Sequence, residues 1–334
     1  MRNIVPRLFA LMGAAGLLVS APGSVVAQTA AEPVPDISHA LAGIPDERTL
    51  ADGDLRIVNL YATQGRILRE MAGAPRRDIV QRLVDEVWRP HPEFWAGYLG
   101  DKRAFRAWAA DLLDPAHAVH HRMAALIDVE LDRRFTEGAD WMRRVTGRRP
   151  AGTWYLVFGP GWTDMGGLSD IGMVADFTRM EADSAAIASI LPHELTHQVQ
   201  GAATDPDAGT VLHRIVSEGF ASYVAFVYGG GSISPARALH YSDAEWRWAL
   251  EHERELFREV EPMLESRDRA DVDRVASRGV SLIQGAPGAA GYFLGLRIVE
   301  RYVAARGPDS WMELYDLPVR DVLRRSGYVE ALTR

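Results

Sequence analysis

The segment His193-Glu194-Leu195-Thr196-His197 holds two imidazoles four residues apart, with a carboxylate next to the first one. On an α-helix, positions i and i+4 share one face, so His193 and His197 can bind a single Zn²⁺ ion. Glu194 is then close enough to take a proton from a water bound to that metal. The surrounding residues 185–200 are helical and apolar in composition, and buried paired histidines need a partner that satisfies both. The segment therefore predicts a metal-binding helix.

A third protein ligand is expected, because catalytic zinc sites use three protein ligands and keep one position open. One variant of the motif requires glycine at position 200 and histidine at 203, where this chain has Gln200 and Ala203. A second variant uses an aspartate after Gly-Thr, which residues 209–213 do not provide. A third uses a glutamate on the next helix. Glu218 follows His197 by 21 residues in an apolar, helical segment, where an unpaired carboxylate would be costly. The sequence thus predicts one Zn²⁺ ion with Glu218 as its third ligand.

With this motif and spacing, the chain resembles the gluzincins, the metallopeptidase group that includes thermolysin. It is more closely similar to bacterial predicted Zn-dependent proteases of uncharacterised function. These combine the His-Glu-x-x-His motif with a downstream Glu-Gly-x-Ala and a later Gly-Tyr-x-x-Gly, here Glu218–Ala221 and Gly291–Gly295. The likeness covers about residues 185–302. It implies a metallopeptidase with a zincin-like fold and does not specify a substrate.

A further polar group is expected beside the metal, because the oxyanion that develops in such a reaction needs a cation or a phenol to stabilise it. Tyr292, inside the Gly-Tyr-x-x-Gly motif, is the first candidate, and packing in the core is the alternative for this residue. Tyr223 and His213 are the next candidates. His240 and His252 have no partner pattern and are interpreted as structural.

These residues predict zinc-dependent hydrolysis of a peptide bond in a peptide or protein substrate. The ion would lower the pKa of its bound water to about 7. Glu194, as general base, would take a proton from that water and pass it to the leaving amine. A predicted strand near residues 172–177 would offer an edge along which an extended substrate could pair. Two alternatives stay open: a catalytically silent zinc-binding protein, although Glu194 is not needed for binding alone, and a metal hydrolase acting on a non-peptide amide.

The N-terminal residues predict export. Arg2 and Arg7 accompany an apolar stretch at 8–19, and Val25-Val26-Ala27 offers a cleavage site before Gln28, which together are typical of a secretory signal peptide. Twelve apolar residues are too few to span a bilayer, which requires about 20. The sequence therefore predicts a periplasmic or secreted bacterial protein with no stable membrane insertion after cleavage.

Composition bounds the remaining classes of function. The chain of 334 residues has a formal net charge of -8 and no cysteine. It contains no basic run long enough to follow a phosphate backbone, so we expect no nucleic-acid partner. Without cysteine it has no disulfide, but about 300 residues can bury a large core unaided. The oligomeric state does not follow from the sequence.

The elements that must position the site are predicted from periodicity and turn residues. Residues 1–27 are the signal peptide, and 28–50, rich in Ala, Pro and Glu, are expected to be a flexible leader. Residues 51–150 are predicted to be an N-terminal helical region, since apolar residues recur there at helical spacing. Residues 151–334 are expected to form the zincin-like catalytic region.

Within that catalytic region, two short segments precede the metal helix. Residues 153–158 are rich in β-branched and aromatic side chains and stop at Gly159-Pro160-Gly161, which predicts a strand and a turn. Residues 172–177 are a second candidate strand. Pro192 is expected to kink the metal helix or to begin its regular part. The predicted fold class is α+β and mostly helical, with a small sheet upstream of the metal helix and a helical C-terminal part.

Overall fold

The computed structural model describes residues 36–114, 119–168, 171–178, 180, 184–200 and 205–333. The predicted signal peptide, residues 1–27, lies outside these ranges. The strands are β1 (Glu47–Leu50), β2 (Leu55–Val58), β3 (Gly152–Val157), β4 (Met165–Gly167) and β5 (Met173–Asp176). The helices are α1 (Ser38–Gly43), α2 (Leu60–Glu70), α3 (Arg76–Leu83), α4 (Pro92–Tyr98), α5 (Lys102–Leu112), α6 (Val119–Val129), α7 (Leu131–Thr146), α8 (Ser184–Val199), α9 (Val211–Tyr228), α10 (Pro235–Ala238), α11 (Asp243–Glu251), α12 (Glu253–Val260), α13 (Arg269–Ala276), α14 (Ala290–Arg306), α15 (Val319–Ser326) and α16 (Tyr328–Thr333).

The helices outnumber the strands, and the five strands form one mixed sheet ahead of α8, the helix that carries the His-Glu-x-x-His motif. The mostly helical α+β class expected from the sequence is therefore confirmed. Among the described residues, no helix is both long enough and apolar enough to cross a membrane.

The sheet has the strand order β1-β2-β3-β5-β4. β3 is parallel to both β2 and β5, whereas β1 and β4 pair antiparallel with β2 and β5. All four residues of β5 are buried, as expected for a strand inside a sheet that is covered on both faces. The two strands predicted near 153–158 and 172–177 are confirmed as β3 and β5.

The edge expected for substrate pairing was assigned to the wrong strand. β5 lies inside the sheet, between β3 and β4. β4, which precedes β5 in the chain, pairs with it in the antiparallel direction. Met165 of β4 pairs with Ala175, and Gly167 pairs with Met173. The free edge on this side of the described sheet therefore belongs to β4.

The N-terminal half also departs from the sequence prediction. Of the expected flexible leader, residues 36–50 hold α1 and β1, and the start of the expected helical region is the strand β2. β2 pairs in parallel with β3, so a strand of four residues is stabilised by a partner far along the chain. Local periodicity could not reveal this pairing. The helices α2 to α7 follow between residues 60 and 146.

Helix α8 continues through Pro192 and begins eight residues before it, so this proline does not mark the start of the helix. Its inner face is buried against α7, where a Cβ added to Gly138 would lie 2.9 Å from Leu195. Its C-terminal end is attached to the sheet by Gln198, whose side-chain oxygen accepts a hydrogen bond of 3.1 Å from the indole of Trp154 in β3. Packing against α7 and the hydrogen bond to β3 thus hold the metal helix in place.

Helices α9 and α14 cross at a distance that only glycine permits. A Cβ on Gly219 would lie 2.0 Å from the carbonyl carbon of Gly295, and a Cβ on Gly295 would lie 1.9 Å from the carbonyl oxygen of Ile215. These glycines are next to Glu218 and near Tyr292 in sequence. The close crossing therefore brings the two predicted functional residues together from separate helices.

Candidate metal centre

The three predicted metal ligands converge on one point. Nε2 of His193 lies 3.0 Å from Oε2 of Glu218, and Nε2 of His197 lies 3.3 Å from the same oxygen. The two Nε2 atoms are 3.2 Å apart. One potential ligand atom from each residue lies within 4.8 Å of the others, and the Glu218 side chain is only 6 % exposed. Two residues one turn apart on α8 and a third on α9 thus form a compact site.

Two serines of α9 contact the outer nitrogens of the histidines. Oγ of Ser222 lies 3.4 Å from Nδ1 of His193, and Oγ of Ser217 lies 3.5 Å from Nδ1 of His197. Each serine donates its own proton elsewhere: Ser222 to the carbonyl of Glu218, and Ser217 to the side chain of Gln200. The serine oxygens can therefore accept from Nδ1–H. Protonation at Nδ1 gives the tautomer in which both Nε2 atoms are free to bind a metal ion.

The two carboxylate oxygens of Glu218 have different partners. Its Oε1 forms an ion pair of 2.9 Å with Arg214, four residues earlier on α9, which leaves Oε2 toward the histidines. Burial opposes ionisation, but the charges of His197 and Arg214, with hydrogen bonds from both histidines, hold the pKa of Glu218 well below its usual value. The side chain is thus a carboxylate at neutral pH, the form that binds metal ions.

The pKa of His197 shows the same coupling. Burial alone lowers the pKa of His197, but the charge and the hydrogen bond of Glu218 outweigh it and raise this pKa above its usual value. The buried carboxylate therefore attracts a positive charge to the centre of the site. A divalent cation would meet that demand without protonating the imidazole.

Glu194 and Tyr292, the residues predicted to act on the substrate, lie beside the ligands. The charge of Glu194 acts on His197, Arg214 and Tyr292. The ring of Tyr292 is nearly parallel to that of His193, with centroids 6.0 Å apart and planes at 9°. Burial and the charge of Glu218 raise the pKa of the Tyr292 hydroxyl far above its usual value. The phenol therefore remains a hydrogen-bond donor.

The two weaker candidates occupy different positions. Tyr223 packs on Phe226, and burial together with the charge of Glu300 raises its pKa. Burial lowers the pKa of His213, and the charge of His197 lowers it as well. Nε2 of His213 is buried with no hydrogen-bond partner in the described part of the chain. Of the two, His213 has the clearer link to the metal ligands.

Sequence reasoning missed Ser217, Ser222 and Arg214. All three lie within four residues of Glu218 on α9, so the helical spacing that identified the ligand was also the signal for its supports. The same spacing rule, applied outward from Glu218, would have placed Arg214 and Ser222 one turn away on either side.

The donor set fits zinc. Two imidazole nitrogens and one carboxylate oxygen are typical ligands of a catalytic zinc ion with an open fourth position, and each histidine has the outer hydrogen-bond acceptor that such sites use. The fold and the site therefore define a candidate metal site, formed by a His-Glu-x-x-His helix and a glutamate of the next helix.

Comparison with known proteins finds one family model. Residues 159–324 match the model described as predicted Zn-dependent protease (DUF2268), so this part of the chain is similar to that family. The match includes the two histidines, Glu218 and the Gly291–Gly295 motif, and it omits β1, β2, β3 and the helices α1 to α7. No curated protein and no solved structure matches the chain.

Proposed function

We propose that the protein is an exported zinc-dependent peptidase with a single Zn²⁺ ion held by His193, His197 and Glu218. The observation that supports this most is the position of Glu194, a carboxylate that is not part of the ligand cluster but acts electrostatically on it. A bound zinc ion would supply a Lewis acid that polarises the scissile carbonyl and lowers the pKa of water to about 7.

The side chains around the ion would move the protons and stabilise the charge. Glu194 would take the proton of the attacking water and deliver it to the leaving amine. Tyr292, protonated and beside His193, would donate a hydrogen bond to the oxyanion. Arg214 would keep Oε1 of Glu218 occupied, so that Oε2 alone faces the ion.

The substrate would be an extended peptide paired with β4. This strand is the free edge of the described sheet on the side of β5, and it contacts α8. A peptide added there would form main-chain hydrogen bonds independent of its sequence. Support for a peptide substrate thus comes from the sheet edge and from the family description.

The test compares zinc content and hydrolysis in matched variants. We expect stoichiometric zinc by elemental analysis in the wild-type protein, and hydrolysis of a panel of quenched peptides. Glu194→Gln should retain the zinc and lose about 10²- to 10⁴-fold in rate, because only the general base is removed. Glu218→Gln should lose the zinc. Glu251→Gln changes an exposed glutamate of α11 and serves as the control.

The outcomes separate this proposal from its alternatives. A wild-type protein without zinc contradicts it. Zinc-loaded protein that cleaves cell-wall or lipid amides but no peptide indicates a different hydrolase. Zinc-loaded protein with no hydrolysis of either class indicates a binding protein.

A further inference from the structure

Three basic residues lie on one side of the metal centre. Arg237 and His240 come from α10 and the residues after it, and Arg278 comes from the loop after α13. All three are exposed. We call this set the basic wall.

The basic wall borders the metal ligands. The guanidinium carbon of Arg278 lies 5.8 Å from the ring centroid of Tyr292, and the same ring is parallel to His193 at 6.0 Å. The charges of Arg278, His193 and Arg237 all act on His240. His240, interpreted from the sequence as structural, is therefore a neighbour of the site.

Backbone contacts hold the wall in place. Arg278 donates a hydrogen bond of 3.1 Å from Nη1 to the carbonyl oxygen of Leu239. The hydroxyl of Tyr241 donates to the carbonyl oxygen of Gly288 at 2.9 Å. A Cβ on Gly288 would lie 1.9 Å from the carbonyl oxygen of Arg278, so this glycine is needed where the two loops meet. The side chains of the wall thus project from a fixed backbone.

The backbone of His240 has an unusual conformation. Its φ of 54° is in the left-handed region that residues other than glycine seldom adopt, and such residues cluster at functional sites. Burial lowers the pKa of His240 to about 4, although the residue remains exposed to solvent. His240 is therefore uncharged near neutral pH, and the positive charge of the basic wall comes from Arg237 and Arg278.

Arg237 and Arg278 differ from Arg214 in their charged partners. Among the described residues, no Asp or Glu oxygen lies within 4.0 Å of the guanidinium of Arg237 or Arg278, whereas nearby Arg214 is paired with Glu218. The charge of Arg278 does reach Glu245, but that carboxylate is occupied by the cap of α11. Unpaired positive charge beside the site contrasts with the formal net charge of -8 of the whole chain, and such a local field attracts anions.

We propose that the basic wall binds a carboxylate of the substrate, with Arg278 as the main specificity-determining residue. This inference rests on the proposed function, because it names the class of peptide that the site takes. Arginine suits the role, since its planar guanidinium can bind both oxygens of a carboxylate. The carboxylate is either the C-terminus of the peptide or an Asp or Glu side chain near the cleaved bond.

The experiment measures binding without turnover. Zinc-loaded Glu194→Gln protein is titrated by calorimetry with four peptides of one sequence, which carry Glu or Gln at one position and a free or amidated C-terminus. We expect about tenfold tighter binding of one carboxylate-bearing member over its neutral counterpart. The preference should weaken with added salt, because exposed charges are screened. The same titrations of metal-free protein provide a readout that does not depend on the ion.

Variants in the same background assign the preference. Arg278→Gln should abolish it, and Arg278→Lys should retain part of it, because the charge is kept and the planar fork is lost. Arg103→Gln removes an exposed arginine of α5 and should change nothing. Circular dichroism of each variant checks that the fold is intact.

The outcomes are decisive in both directions. Preference for the free C-terminus identifies that carboxylate as the ligand, and preference for Glu identifies the side chain. Equal binding of all four peptides, no binding by any of them, or a preference unchanged in Arg278→Gln overturns the inference. Hydrolysis of peptides regardless of charge by the wild-type protein overturns the inference alone. A carboxylate preference in a protein that cleaves no peptide contradicts the proposed function alone.

Discussion

Two serines of α9 contact the imidazoles of the candidate metal site. Ser217 and Ser222 reach Nδ1 of His197 and His193 at 3.5 and 3.4 Å, and outer contacts of this kind fix both the tautomer and the ring plane. We expect the double variant Ser217→Ala and Ser222→Ala to bind zinc about 10- to 100-fold more weakly. Competition with a chromogenic chelator measures the affinity.

A serine outside the site supplies the comparison. Ser232 is exposed, and its hydroxyl donates to the carbonyl oxygen of Gly229. Ser232→Ala should therefore leave the zinc affinity unchanged. If the double variant binds zinc as tightly as the wild-type protein, the serines only pack against the rings.

The sequence identified the residues that share a helix and missed those that meet only in the fold. His193 and His197 follow from helical spacing, and Glu218 follows from residue type and distance along the chain. Arg278 lies 85 residues beyond His193, and it borders the site at the ring of Tyr292. No spacing rule connects loops that are brought together by tertiary packing, so the basic wall could not be predicted.

The close crossing of α9 and α14 brings the candidate ligand Glu218 near Tyr292. Because a Cβ on Gly219 would lie 2.0 Å from backbone atoms of α14, Gly219→Ala must push the helices apart. We expect it to lower the free energy of unfolding by about 3 kcal/mol, at the upper end of overpacking costs, and to weaken zinc binding. Urea unfolding measures the first effect and chelator competition the second.

A glycine with free space around it is the matched control. No heavy atom lies within 4 Å of a Cβ added to Gly43 at the end of α1, so Gly43→Ala should leave both quantities close to wild type. Equal stability of the two variants would show that α9 and α14 can separate without cost.

The turn between β3 and β4 is held by one buried carboxylate. Asp176 at the end of β5 accepts hydrogen bonds from the backbone of Gly159 at 2.9 Å and Gly161 at 2.7 Å, and from the hydroxyl of Tyr98 at 2.7 Å. An amide nitrogen cannot accept, so Asp176→Asn leaves buried donors unpaired. We expect a loss of about 1–3 kcal/mol in the free energy of unfolding, measured in urea.

The smaller change Tyr98→Phe provides a graded comparison. It removes one donor from Asp176 and leaves the backbone donors paired, so we expect a loss of about 1 kcal/mol. If Asp176→Asn is no more destabilising than Tyr98→Phe, the carboxylate does not hold the turn. Since β4 is the edge proposed for the substrate, peptide affinity should fall together with stability in Asp176→Asn.

The strands differed in how far they could be predicted. β3 is rich in aromatic and β-branched residues and is followed by the turn residues Gly159–Gly161, and β5 begins with three apolar residues after Gly172, so the sequence indicates both directly. β1 and β2 have four residues each, too few for a period of two to stand out, and β2 leads almost at once into α2. β2 pairs with β3 from far along the chain, and β1 is held by β2, so a local sequence pattern does not reveal either strand.

At the scale of the whole molecule, the N-terminal residues predict where the protein acts. Removal of residues 1–27 by signal peptidase should leave a mature chain that begins at Gln28. N-terminal sequencing of protein from the periplasmic or culture fraction of a bacterial host tests this. A variant lacking residues 2–27 should stay in the cytoplasm. Full-length chain recovered only from the cytoplasm contradicts export.

Zinc should also stabilise the whole fold, because the site links parts of one continuous core. That core contains β2 and α7 from the N-terminal half together with α8, α9 and α14, and the ligands lie on two of these helices. The unfolded chain does not hold them together. Free zinc at a hundredfold excess over its Kd should therefore raise the free energy of unfolding by about 2.7 kcal/mol.

Urea unfolding with and without a chelator measures this contribution. The wild-type protein should lose the added stability when zinc is removed, and Glu218→Gln should respond little to zinc, because its ligand set is incomplete. A wild-type protein whose stability is independent of zinc would mean that the three side chains do not bind the ion in the folded state. If zinc stabilises Glu194→Gln as much as it stabilises the wild-type protein, Glu194 is not a ligand. A residue that only transfers protons does not contribute to the zinc binding that stabilises the fold.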